Sequence, residues 1–104
     1  GYGKADRPMP IITGQDAEAA SVKSIISGDQ TMTVFKDTKQ LAGVAARMVN
    51  DILTDKKVEI NDEKTYDNNK KIVPTYLIEP VAVDKDNYQA KLIDSGYLKE
   101  SDIK

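Results

Sequence analysis

Short β-branched apolar runs alternate along this chain with longer stretches whose apolar positions recur at helical spacing. Residues 10–14, Pro-Ile-Ile-Thr-Gly, suit a strand buried on both faces, with Gly14 allowing a sharp exit. Residues 17–27 follow with Ala19, Val22, Ile25 and Ile26 on one side, a helix ended by Gly28 as a left-handed cap. Residues 31–35, Thr-Met-Thr-Val-Phe, predict a second strand. Asp37 with Gln40 three places on matches a capping box, and the helix at 38–54 carries a broad stripe. Leu41, Val44, Ala45, Met48 and Ile52 form that stripe, flanked by Val49 and Leu53. Its small residues Ala42, Gly43, Ala45 and Ala46 suit close packing on a sheet.

The second half is less regular. Residues 55–71 are polar, and Asp67-Asn-Asn69 suggests a hairpin turn. Apolar runs at 72–78 and 81–83 predict two more strands. Pro74 and Pro80 make them short, edge-located or broken where the chain crosses between units. Residues 84–94 predict a short helix with Tyr88, Leu92 and Ile93 inward and Gly96 as cap. Tyr97 and Leu98 are expected to pack back, and 100–104 to fray. The order β-α-β-α-β-β-α favours an α/β layer with a largely parallel sheet. Three helices and so few short strands leave faces without partners. The expectation is therefore an incomplete fold, completed by a partner fragment or by a domain-swapped homodimer that exchanges the 38–54 helix.

Composition narrows the chemistry. With 104 residues, 39% hydrophobic and 31% charged, the chain fits one ordinary domain in size. A formal charge of −2 with interspersed signs offers no basic patch, so no nucleic-acid partner is expected. No apolar run is long enough for a transmembrane helix. Cysteine and histidine are both absent, which removes thiolate nucleophiles, zinc-thiolate sites and every Ser-His triad. The polar 55–71 segment lacks the central glycine of a calcium loop. No phosphate-cradling glycine motif occurs, and Asp16 and Glu18 at a helix start diverge rather than pair. No enzyme activity, cofactor or metal is expected. Residues 1–8 read as a loop punctuated by glycine and proline, and the chain begins as though cut from something longer.

Asp16 is the side chain of most interest. It follows the first strand, where α/β proteins place ligand-contacting groups, and it equally suits a helix N-cap.

Four stretches carry a resemblance: Ile11-Ile-Thr-Gly-Gln-Asp-Ala-Glu18, Val22-Lys-Ser-Ile-Ile-Ser-Gly28, Thr33-Val-Phe-Lys-Asp-Thr38 and Val73-Pro-Thr-Tyr-Leu-Ile-Glu-Pro-Val-Ala-Val-Asp84. In order and spacing the chain resembles the C-terminal third of type I periplasmic sugar-binding proteins, the substrate-binding subunits of ABC monosaccharide importers. The likeness is to the ribose/galactose/xylose branch, and within it to members that bind several sugars, glucose and xylose included. The resemblance implies a partial periplasmic-binding-protein-like fold of two lobes around one sugar. Residues 1–35 would belong to the C-terminal lobe and 36–80 to the N-terminal lobe, with hinge crossovers near 35–37 and 78–81. Residues 81–104 would then return to the C-terminal lobe. It also implies a monosaccharide ligand, given the upstream portion, delivery to ABC permease subunits, a sensor protein as a further partner, and a periplasmic or extracellular location, lipid-anchored or free.

Residue by residue, Asp16 matches the strand-end aspartate that accepts from sugar hydroxyls. Lys36 falls at the polar position beside a hinge crossover, its plain alternative being a solvated lysine. Gln15 either lines the cleft or completes the turn. A carboxylate accepting from one hydroxyl and an ammonium donating to another form strong, charge-assisted bonds. The family's ring-sandwiching aromatics lie upstream of Gly1, so residues 1–104 alone are not expected to hold a sugar at native affinity. The alternative reading is a truncated module without ligand, acting through self-association or protein interaction.

Overall fold

A central strand that buries alternate side chains organises most of the chain. In the computed structural model, which describes residues 1–4 and 6–104, strand β2 (Met32–Phe35) buries Thr33 and Phe35 and leaves Met32 and Val34 half-buried. That period of two comes from the pleat, and β-branched and aromatic residues suit it. Strand β1 (Thr13–Gln15) pairs parallel to β2 with Gly14 opposite Thr33. Strand β3 (Val81–Val83) pairs antiparallel on the other side with Val34 opposite Ala82. The sheet order is β1-β2-β3.

Two compact units are present, residues 1–36 with 80–104, and residues 37–79. The first holds the sheet, helix α1 (Ala19–Ser27), a π-helical turn (Gln89–Ile93) and, as the last helix in the chain, α3 (Glu100–Ile103). Its core joins Ala17, Val22, Phe35, Val83 and Leu92, with Ile26, Tyr88, Tyr97, Leu98 and Ile103 packed around them. Each fully buried aliphatic side chain contributes roughly 1.5–3 kcal/mol relative to leaving it in water. Gly28 ends α1 at φ 89°, its N–H reaching the Ile25 carbonyl while Asp29 N–H reaches that of Ser24. Gly96, at φ 74°, closes the turn after the π-helix as expected.

The second unit begins with helix α2 (Thr38–Leu53). Asp37 caps it, its Oδ1 accepting from Lys39 N at 2.9 Å and Gln40 N at 3.0 Å. The hairpin expected near residues 67–69 is present: Asp67 bridges Ile72, and Asn69 takes φ 64°.

Several expectations are corrected. The sheet is mixed, not largely parallel, because β3 returns against β2. The first strand is three residues long and is not buried on both faces: Ile11 is 82% exposed, and β1 lies at a sheet edge. Residues 72–78 make isolated bridges in place of a strand, since Pro74 interrupts any ladder. In keeping with the expectation of faces left without partners, the stripe on α2 is largely open: Val44 is buried, while Leu41, Val49, Ile52 and Leu53 are exposed. The tail does not fray. Asp102 accepts from Lys99 N at 3.0 Å, and Ile103 packs on the core. The loop expected at residues 1–8 includes Ala5, which lies outside the described residues; around it, Gly3 N–H bonds to the Arg7 carbonyl.

Candidate functional site

Parallel pairing of β1 and β2 brings the residues after both strands to one end of the sheet. With Gln15 opposite Val34, the next residues along are Asp16 and, past Phe35, Lys36. The Asp16 N–H extends the ladder by one bond, 2.7 Å to the Val34 carbonyl. The Lys36 ammonium then lies 2.7 Å from Asp16 Oδ1 and 3.1 Å from Gln15 Oε1. All three residues singled out from the sequence converge. The side chains of Lys36 and Asp16 are 50% and 64% exposed, so the cluster faces outward with donor and acceptor capacity to spare.

Gly14 has a different task from the one expected of it. Its backbone makes no left-handed exit; instead a Cβ there would come 2.6 Å from Gln30 Nε2. Gln30 needs that space, because it accepts from Ser21 Oγ at 3.0 Å and donates to the Met32 carbonyl at 2.9 Å.

The sharp exit falls on Asp16 and Ala17, at φ 78° and 51°. Neither is glycine, and the left-handed region is unfavourable for residues with a Cβ. Their surroundings hold them there. Ala17 is fully buried, and its N–H donates to Thr33 Oγ1 at 3.3 Å inside the core. The Tyr97 hydroxyl donates to the Asp16 carbonyl at 3.3 Å, while its ring meets Phe35 at a centroid distance of 4.5 Å.

The N-cap reading of Asp16 is overturned. Helix α1 starts three residues later at Ala19, with Glu18 at its N-cap position and no side-chain capping bond. Asp16 is spent instead on Lys36, and its left-handed backbone is incompatible with the extended conformation of an N-cap. The roles of Thr33 and Tyr97 were missed from sequence. A threonine in the buried phase of β2 was a weak signal, while Tyr97 packs back as expected but its hydroxyl's partner, 81 positions away, carried none.

This site sits in a chain with clear relatives. Over all 104 residues it is 53% identical to the multiple sugar-binding periplasmic receptor ChvE of Rhizobium radiobacter and 52% identical to the multiple sugar-binding periplasmic protein SbpA of Azospirillum brasilense. It spans 29% of the length of each. Among solved structures, an ABC transporter solute-binding protein of Clostridium phytofermentans with bound β-D-glucose superposes at a TM-score of 0.89. That match has 46% identity and covers 97% of this chain and 31% of the other. No protein-family model matches. The chain therefore has the fold of part of a periplasmic sugar-binding protein, as the resemblance implied.

Proposed function

We propose that this chain supplies part of the sugar cleft of a periplasmic monosaccharide receptor serving an ABC importer, with an aldose such as glucose or xylose as ligand. The observation that carries the reading is the cluster of Asp16, Lys36 and Gln15 at the carboxyl ends of two parallel strands. Asp16 accepts from one sugar hydroxyl, Lys36 donates to a neighbouring one, and Gln15 adds an amide that can do either. Such a site rejects analogues lacking a hydroxyl, because its polar groups are then left unpaired. The role is capture, not catalysis, with permease subunits as the delivery partner and the periplasm or cell exterior as the place of action. Two lobes joined by crossovers near 35–37 and 78–81 fit the unit boundaries at 36/37 and 79/80. The first unit is read as C-terminal lobe and the second as N-terminal lobe.

A second reading, association through protein contact, is favoured by the exposed apolar side chains of α2, where Leu41 is 56%, Ile52 62% and Leu53 79% exposed. Native mass spectrometry of the polypeptide that carries this sequence, at its natural length, separates the two. A gain of one sugar mass from a panel of aldopentoses and aldohexoses supports the receptor reading. Dimers that take up no sugar would sink it in favour of association.

A further inference from the structure

We propose that Thr33 and Tyr97 are positioning residues for the sugar-contacting carboxylate. They hold Asp16 and Ala17 in a left-handed turn that aims Asp16 at Lys36. The inference rests on the reading of Asp16 as a sugar contact.

Two adjacent non-glycine residues at φ 78° and 51° persist only where the surroundings over-determine them, and such outliers gather at functional sites. The extended N-cap position of α1 is taken by Glu18, so the left-handed pair before it is not something that starting the helix requires. Three contacts hold the turn. The Asp16 N–H is tied to β2 through the Val34 carbonyl. The Ala17 N–H points into the core, where the Thr33 hydroxyl, on a fully buried side chain, is its acceptor. Valine would have the same shape as threonine and would cost less to bury, so the hydroxyl has its use in that bond. The third tie reaches across the chain: the Tyr97 hydroxyl holds the Asp16 carbonyl.

Tyr97 does more than brace one side. Its ring stacks obliquely on Phe35, the residue directly before Lys36. One aromatic pair thus buttresses both strand ends that carry the charged partners. Asp16 and Lys36 meet at 2.7 Å although both are largely solvent-exposed, a contact that flexible side chains hold best when their backbones are fixed. Pre-organised polar groups bind more tightly because less ordering remains to be done on association.

The test uses the polypeptide at its natural length with Thr33→Val, Thr33→Ser and Tyr97→Phe, and with Asp16→Asn as reference. D-glucose and D-xylose are titrated calorimetrically, well below the melting temperature of each variant. In the sugar-free protein, backbone resonances of Asp16 and Ala17 report whether both stay left-handed. Thr33→Val should weaken sugar binding by about tenfold and Tyr97→Phe by about threefold, each moving those resonances, while Thr33→Ser stays within about twofold of the parent. A Thr33→Val protein that melts earlier but binds sugar as the parent does, with both resonances unmoved, overturns the proposal. Should Thr33→Val not fold, Tyr97→Phe decides on the same two readouts. If Asp16→Asn binds as tightly as the parent, the sugar-contact reading fails by itself. The resonances then still judge whether Thr33 and Tyr97 hold the turn.

Discussion

Replacing Asp16 by glycine separates the demands of the fold from those of the ligand. The substitution removes the carboxylate from a residue at φ 78°, a region glycine enters freely. A residue with a Cβ is strained there by about 1–2 kcal/mol, less for aspartate than for most, so glycine recovers part of that sum. Against this stand about 0.5–1 kcal/mol for the extra freedom glycine gives the unfolded chain, and the ion pair with Lys36. Both partners of that pair are at least half exposed, which limits it to about 0–1 kcal/mol. No helix cap is lost, since Asp16 is not the cap of α1. The terms nearly cancel, and stability should stay within about 1 kcal/mol of the parent. The ligand should notice far more. A hydroxyl-to-carboxylate hydrogen bond is worth about 1.5–3 kcal/mol, so its loss should weaken sugar affinity roughly 10- to 140-fold. Urea denaturation gives the first quantity and calorimetric titration with D-glucose the second. Unchanged affinity would refute the ligand role. A loss of more than about 2 kcal/mol in stability would refute the account of the turn, since the described residues give the Asp16 side chain no interaction of that size.

Other outcomes are expected elsewhere. Gly14→Ala should cost about 1–2 kcal/mol, because a Cβ 2.6 Å from Gln30 Nε2 displaces a side chain bonded to Ser21 and Met32. In a Gln30→Ala background the same change should be close to neutral; a full cost in both backgrounds would disprove the clash. Asp37→Ala should destabilise α2 by about 1 kcal/mol and Asp37→Ser by much less, as amide exchange in the first turn would show. Bonds from the Thr65 hydroxyl, then from the Thr65 and Lys64 backbone N–H groups, hold the Asp62 carboxyl below the ordinary aspartate range. A carboxyl lowered in the folded state stabilises above its unfolded value, and that stabilisation is lost as pH falls through the lowered folded value. An NMR titration of Asp62 with a midpoint at or above the ordinary value would contradict this, and Thr65→Val should move the midpoint upward.

Local chemistry made some of this structure legible in the residues alone. Asp37 before a helical stripe, Gly28 and Gly96 after their segments, and Asp67-Asn-Asn69 in a polar run all behave as their backbone preferences require. These signals act over a few residues and need no partner from afar. Asp16 at the end of the first strand was legible in the residues too, whereas Lys36 and Gln15 were singled out through the resemblance, and parallel pairing of β1 and β2 brings the three to one end of the sheet.

Tertiary structure decided the rest. Periodicity marks which side chains are apolar, but burial also needs a surface to meet them, so Ile11 and Leu53 remain open while Leu92 is fully buried. The direction of β3 depends on where the chain returns, which no residue within the strand records. Asp16 fits an N-cap by local preference. It becomes a left-handed strand-end carboxylate because Val34, Thr33 and Tyr97 grip the backbone around it, and those contacts exist only once β2 and the C-terminal segment are in place. The tail follows the same rule: polar residues 99–102 promise little, yet Ile103 finds the core and the final turn forms.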